Sequence, residues 1–477
     1  MKRNSLNKKQ LLIDCFKNFS ENVFLVEKNG TNISYGEFYT RSLRLLSLLN
    51  KKFRKGSRII VKSVNSKDYL IFYVACLLGG YTACPVDPNI TKKKLRYIKK
   101  TFKIENQINN FNNFNYENQK ISNDIEFSSK VDFLIVFTSG TTTGESKGIL
   151  HNSDSILGCA ESYSKIAGYD IETRVYHCLP MYYMAGISNT FFACIFSGSS
   201  IIIGDQVSAT NLNNFWIVPQ KLMANSLHLV PSLYYMLCEL FNNDPIIKKH
   251  IILYRSIIST SSYLYPEIRK KFFEVFKKRI QSCYGVTELG GPLTIENIDD
   301  LLFEEETNSI GKPIKDIKIK IDNKNILIKS PFLMKGYLTF NNKVKKPRLL
   351  NNYYKTGDVG YFEDKILFFL GRSREIIKKG GEIVSLTLLE NTALKMDFIK
   401  ETSAVGIKNI LTGEDILLFV VFKKNNLISK KISELNIFLK SELKSIEVPK
   451  KIIPIPEMIK TKSGKIIKDQ LIKTYII

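Results

Sequence analysis

An apolar run from Val131 to Phe137 ends in Thr138-Ser139-Gly140-Thr141-Thr142-Thr143-Gly144-Glu145-Ser146-Lys147-Gly148. The run reads as a buried strand. A strand that terminates in hydroxyls, glycines and one lysine is suited to an anion such as phosphate. Glycines let backbone N–H groups approach closely, hydroxyls add donors, and lysine adds charge. The spacing departs from a Walker loop, in which Lys-Ser or Lys-Thr directly follows the second glycine. The stretch after it, Ile149 to Ala167, is read as helical.

Elsewhere in the N-terminal half, strand and helix patterns alternate. A helical pattern starts at Tyr35 and runs through Leu43, Leu45, Leu46 and Leu49. Arg58 to Val61 reads as a strand, Asp68 to Leu78 as a buried helix, and Thr82 to Val86 as a strand. Such alternation argues for a parallel α/β sheet. Asn106 to Asn118 is Asn-rich and reads as an exposed loop or a poorly ordered linker. Later, Ile195 to Ile203 reads as a strand, and Pro231 to Phe241 and Tyr265 to Lys278 as helices. From Ile317 short alternating strands mark a half-buried β region. Beyond Gly371-Arg372, about a hundred residues hold strand material (Leu417 to Phe422), a helix (Ser433 to Leu443) and a lysine-rich tail, a small domain by composition.

A chain of 477 residues is too long for one core and divides into two or three domains. Its net charge of +25 is spread along the chain as lysine pairs rather than gathered in an arm with interleaved aromatics, so nucleic acid is not the expected partner. The charge can instead steer anionic substrates, or an acidic carrier protein, toward the surface. The eight cysteines lack C-x-x-C spacing and the four histidines form no H-E-x-x-H, which speaks against a structural metal site and a disulfide framework. The longest apolar run, Tyr69 to Cys84, is short for a membrane span and contains Gly79-Gly80. A reduced, cytoplasmic enzyme is the expectation.

Four further segments carry chemistry. Ser282-Cys283-Tyr284-Gly285-Val286-Thr287-Glu288 offers an aromatic to stack a base, a hydroxyl for phosphate and a carboxylate for a hard cation. Tyr354-Lys355-Thr356-Gly357-Asp358 places a carboxylate beside a turn, where two oxygens can accept from two vicinal hydroxyls. Gly371 to Glu382 contains Arg372, Arg374 and Gly380-Gly381. Lys460-Thr461-Lys462-Ser463-Gly464-Lys465 lies near the C-terminus.

Taken in this order and at these separations, the five segments resemble the acyl-adenylate-forming superfamily. It includes acyl- and aryl-CoA ligases, adenylation domains of nonribosomal peptide synthetases, and beetle luciferases. The resemblance runs from about Tyr35 to about Ile467. It implies an α/β fold. A large N-terminal domain (residues 1–371) has α/β layered subdomains and a small β region. A small, mobile α+β C-terminal domain (372–477) closes over it. It also implies two reactions: a carboxylate attacks the α-phosphate of ATP and pyrophosphate leaves, then a thiol attacks the acyl-adenylate and AMP leaves. ATP, Mg²⁺ and coenzyme A, or the phosphopantetheine of a carrier protein, are the implied cofactors.

The resemblance assigns roles by position. Thr138, Ser139, Gly140, Thr141, Thr142 and Lys147 are expected to hold the β- and γ-phosphates. Tyr284 stacks near the adenine, Gly285 is a further cofactor-binding position, Thr287 touches phosphate, and Glu288 ligates Mg²⁺. Asp358 holds the ribose hydroxyls with Arg372 nearby. Arg374 sits at the hinge, where Asp or Lys is more frequent. Lys465 bridges the attacking carboxylate and the α-phosphate; Lys465, Thr287 and Glu288 form the catalytic set. Tyr183 and Met184 face the acyl pocket, with Ile187, Ser188, Leu229 and Ser232 as further lining.

The chain departs from the family pattern in places. The phosphate loop is one residue longer than usual and has Ser146 in place of proline. Tyr183 stands where histidine or another aromatic is usual, Ser259-Thr260-Ser261-Ser262 where Gly-Gly-Ala is common, and Asn325 where glutamate is usual. Amino-acid-activating relatives carry an aspartate for the α-ammonium in a Phe-Asp-x-Ser segment. Here Tyr182 to Gly186 has no carboxylate, so the expected substrate is a carboxylic acid without an α-amino group. The alternatives are a stand-alone amino-acid adenylation enzyme and a catalytically silent binding protein. Retention of Lys465, Asp358 and Glu288 together speaks against silence.

Overall fold

The computed structural model describes residues 7–111, 114–128, 131–139, 146–208, 210–297, 308–340, 343–373, 376–379, 382–409, 411–423, 426–460 and 466–476. Within them the strands form four sheets. The largest has nine strands. Its centre is parallel and runs Gln281–Val286, Ser256–Ser259, Ser226–Leu229, Arg174–His177, Ser200–Ile203 and Val23–Val26, with antiparallel strands added at both ends. The seven-stranded sheet joins the parallel set Asp132–Ser139, Thr82–Pro85, Arg58–Val61 and Asn106–Ile108 to the antiparallel strands Ser146–Asn152, Gly336–Leu338 and Val344–Lys345.

Between these two sheets lies the main core. The helix Lys67–Gly79 is buried along almost its whole length, which is why its residues are apolar on every side rather than along one stripe. Ser66 caps its start by accepting from the Tyr69 N–H, and Gly80, in the left-handed region at φ 72°, ends it. The helices Tyr35–Lys52, with Ser34 as its cap, and Ser153–Ile166, capped by Asn152, complete the layer. Burying this much apolar surface is the dominant favourable term holding the sheets together.

A five-stranded antiparallel sheet contains Lys318–Asp322, Asn325–Lys329, Tyr353–Glu363, Leu349–Leu350 and Ile366–Arg372. Its inner face packs on Leu289, Leu293 and Phe332. The C-terminal region has its own sheet, with Gly413–Phe422 at its centre and Ile399–Asn409 along one edge. That sheet packs on the helices Leu386–Leu394 and Ile428–Glu442 around a separate core. A large N-terminal unit of layered sheets and a small α+β unit are therefore present, as expected. All eight cysteines are buried and unpaired, and among the described residues no helix is long and apolar enough to cross a membrane.

Three expectations about local structure are corrected. The segment after the hydroxyl-rich loop does not enter a helix at Ile149. It first returns as the strand Ser146–Asn152, antiparallel to Asp132–Ser139, and the helix begins at Ser153. Ile195 to Ile203 is not one strand. The helix Ala193–Ser197 ends at Gly198 (φ 72°), and only Ser200–Ile203 is extended. The Asn-rich stretch is not simply an exposed loop. Asn106–Ile108 extends the seven-stranded sheet, and Ile108, Phe111 and Tyr116 are buried. Its asparagines hide three anchors that pay the cost of order.

Candidate active site

Glu288 sits in a short 3₁₀ turn, Thr287–Leu289, directly after the strand Gln281–Val286. Three neighbours fix that turn. The Thr287 carbonyl accepts from His151 Nε2 at 2.8 Å, the Glu288 carbonyl accepts from the Met334 N–H at 2.8 Å, and Gly290 closes the turn in the left-handed region. His151 is fully buried, and burial pushes its imidazole down to about 4, so it is neutral at ordinary pH. A carbonyl can only accept, so Nε2 carries the proton and Nδ1 faces the Ser155 hydroxyl at 3.1 Å.

The strand before the turn needs a glycine. A Cβ on Gly285 would lie 2.5 Å from the carbonyl oxygen of Gly291 on the paired strand. This close approach lets the chain double back so that Glu288 projects beside the five-stranded sheet.

Asp358 comes from that sheet, on the strand Tyr353–Glu363, and is completely buried. The Tyr284 hydroxyl donates to its Oδ2 at 2.6 Å, and Arg372 Nε lies 2.8 Å from its Oδ1. Arg372 is directly opposite Asp358 across the antiparallel pair, so strand register alone brings the two together. The preceding Thr356 hydroxyl accepts from the Asp358 N–H and donates to the Ile326 carbonyl, which fastens the turn.

Two tyrosines link these pieces. The Tyr337 hydroxyl donates to Glu288 Oε1 at 3.0 Å and lies 3.0 Å from the Tyr354 hydroxyl. Burial, with Glu288 adding to it, pushes the Tyr337 phenol up to about 12 and the Tyr354 phenol higher, so both keep their protons. Lys147 Nζ lies 5.8 Å from the centre of the Tyr337 ring, within reach of a cation–π contact. Thr138 and Lys147 are opposite each other at the ends of their paired strands.

Tyr183 and Met184 open the short helix Met184–Ile187, which passes into a wider π turn at Ser188–Phe192. Tyr183 is 37% exposed and its ring meets Tyr182 edge-on at 4.7 Å. Met184, Ile187 and Ser188 are buried, and Met184 and Ser188 border Gly291, three residues beyond Glu288. The candidate acyl segment is thus adjacent to the Glu288 turn. Leu229 is buried, whereas Ser232 is exposed. Ser259 and Thr260 are buried.

The structure thus sets Thr138 opposite Lys147, joins Lys147 to Glu288 of the Thr287–Leu289 turn through Tyr337, and joins Tyr284, next to Gly285, to Asp358 and Arg372. The strand Asp132–Ser139 ends at Ser139. Gly140, Thr141, Thr142, Arg374, Gly380, Gly381 and Lys465 lie outside the described residues. Three participants were missed from the sequence: His151, Tyr337 and the role of Tyr354. His151 had a signal, since Lys147, Ile149 and His151 alternate onto one face once the segment is read as a strand. Tyr337 had none, because only the pairing of its strand with Ser146–Asn152 brings it to Glu288.

Among the described residues no group of three or more His, Cys, Asp or Glu side chains forms a metal cage. A hard cation here would take the Glu288 carboxylate and complete its shell with phosphate oxygens and water. That donor set suits Mg²⁺.

Comparison with known proteins shows the family and the fold. The model of a family described as AMP-binding enzyme matches residues 14–121 and 126–338, and that of the AMP-binding enzyme C-terminal domain matches 388–465. The oxalate–CoA ligase of Saccharomyces cerevisiae is 28% identical over 72% of this chain and 63% of its own length. The 2-succinylbenzoate–CoA ligase of Lactococcus lactis is 25% identical over 87% of this chain and 90% of its own. The chain spans about three fifths of the length of the first curated relatives it matches. The crystal structure of ATP-bound MatB from Rhodopseudomonas palustris superposes with a TM-score of 0.87 at 19% identity, covering 98% of this chain and 99% of that one. The fold is thus shared over 98% of this chain.

Proposed function

This chain belongs to the AMP-binding enzyme family, and from that premise we propose that it uses ATP to convert a carboxylic acid to an acyl-adenylate and passes the acyl group to a thiol. The thiol is that of coenzyme A or of a carrier protein's phosphopantetheine. One observation carries this reading: Lys147 and Glu288 meet around Tyr337 and Tyr354, and the strand that carries Tyr354 also carries Asp358 with its partner Arg372. Each group answers a different part of a nucleotide.

In this reading Asp358 accepts from the ribose hydroxyls, with Tyr284 and Arg372 holding its carboxylate in place. Thr138, Ser139 and Lys147, with Gly140, Thr141 and Thr142 between them, surround the β- and γ-phosphates. Thr287 donates to phosphate. Glu288 holds Mg²⁺, which offsets charge on the phosphate oxygens when bound. The division between the two units falls after Gly371, with 1–371 as the nucleotide-binding part, Arg374 as hinge and 372–477 as the part that brings Lys465. Two anions must meet for the first step, and a fixed ammonium from Lys465 lowers the barrier where charge accumulates.

The acid lacks an α-amino group. No carboxylate lies between Tyr182 and Gly186 to pair with an ammonium. The yeast and Lactococcus relatives are both named for acids without one. Tyr183 and Met184 border the acyl group. The test is to supply ATP, Mg²⁺ and a panel that includes oxalate, malonate, 2-succinylbenzoate, fatty acids and amino acids, with coenzyme A or a phosphopantetheinylated carrier as acceptor. AMP and a thioester of one non-amino acid are expected. ATP binding without AMP release for any acid would favour a silent binding protein, and turnover with amino acids alone would overturn the acid class.

A further inference from the structure

Glu288, Tyr337 and Tyr354 come from three different sheets and meet at their polar ends. Glu288 follows the nine-stranded sheet, Tyr337 belongs to the seven-stranded sheet, and Tyr354 to the five-stranded one. A carboxylate in a turn with freely rotating χ angles would sample many orientations. A phenol fixed in a strand removes that freedom. We propose that Tyr337 is a positioning residue for Glu288, holding the carboxylate in the orientation that receives a divalent cation, and that Tyr354 in turn fixes Tyr337.

Hydrogen-bond polarity follows from the donor inventory. Glu288 only accepts, so the single Tyr337 proton goes to it; the Tyr337 oxygen is then free to accept from Tyr354. Tyr354 also neighbours Glu288 directly. The strand Gly336–Leu338 pairs with Ser146–Asn152, with Tyr337 opposite Ile149. Two residues along that strand, Lys147 lies over the Tyr337 ring. One aromatic ring therefore relates the lysine at the phosphate loop to the carboxylate for the cation. Oriented supporting contacts of this kind commonly change metal affinity by about 10–100-fold when removed.

This inference rests on the nucleotide-activating reading, and the test separates the two. Mn²⁺ is titrated into the protein with ATP and no acid, and bound Mn²⁺ is read by electron paramagnetic resonance. The Mg²⁺ dependence of pyrophosphate exchange is measured alongside. Tyr337→Phe removes one oxygen and leaves the strand pairing intact. Its Mn²⁺ affinity is expected to fall about tenfold, its exchange rate to recover as Mg²⁺ is raised, and the KM for the acid to stay unchanged. Tyr354→Phe is expected to fall less, and the double variant by less than the two single losses combined. A folded Tyr337→Phe with wild-type Mn²⁺ affinity and Mg²⁺ dependence overturns the positioning role while leaving nucleotide activation standing. Wild-type protein that neither binds Mn²⁺ with ATP nor exchanges pyrophosphate overturns the functional reading and this inference with it.

Discussion

The hydroxyl of Tyr284 donates to Oδ2 of Asp358 at 2.6 Å, across 74 positions of sequence and between two sheets. The contact holds a fully buried carboxylate whose other oxygen faces Arg372. A charge that far from water persists only when paired and hydrogen-bonded.

Removing one donor tests that account. Tyr284→Phe leaves the ring but takes away the hydrogen bond, at an expected cost of about 1–3 kcal/mol in a denaturant titration. Asp358→Asn keeps the shape and removes the charge. ATP affinity is then expected to fall about 10–100-fold, the worth of a hydrogen bond to a charged group. Calorimetric titration with ATP measures it, and unchanged affinity would remove Asp358 from the nucleotide site.

Acid should destabilise the protein earlier than its carboxylates alone would require. Burial pushes His151 and His177 down to about 4 and His228 to about 3, from the usual value near 6.5. Between those limits the unfolded chain binds protons that the native chain refuses, so stability rises with pH there. The contribution is complete above about pH 6.5 and is lost as pH falls toward 4 and below. The melting temperature is expected to be lower at pH 5 than at pH 7.5. Equal values would mean that the three imidazoles are not held neutral.

Gly285 is expected to tolerate no side chain. In Gly285→Ala the added carbon meets Gly291 backbone at 2.5 Å, so the strand pair must part just before Glu288. Overpacking of this kind costs about 1–3 kcal/mol. Thermal unfolding reads the cost, and a loss of nucleotide affinity beyond it reads the displacement of the turn. A variant as stable as wild type would contradict the packing described here.

Much of this arrangement was legible in the sequence because its signals are local. The helix Lys67–Gly79 carries its own cap, its glycine stop and an unbroken apolar run. Asp358 and Arg372 were legible as motif residues. Their direct pairing follows from a register that only the hairpin sets. Ile149 to Asn152 was misread because a short apolar run between a loop and a helix fits either periodicity, and pairing with Asp132–Ser139 decides it. Tyr337 was invisible for a stronger reason. Its partner Glu288 is 49 residues away, and no spacing rule connects two sheets.

In the proposed reaction Lys465 serves adenylate formation and not the transfer to the thiol. Lys465→Ala is expected to lose about 10²–10³-fold or more in adenylate formation, as when a fixed charge-stabilising donor is removed. Transfer from a pre-made acyl-adenylate to the thiol should be largely retained. Single-turnover assays of each step measure both, and equal loss would sink the assignment.

The most direct measurement is acid-dependent exchange of labelled pyrophosphate into ATP, without any thiol. Exchange is expected with at least one carboxylic acid that lacks an α-amino group, is absent without acid, and is lost in Lys465→Ala. A folded protein that binds ATP yet exchanges no pyrophosphate with any acid would contradict the proposed function.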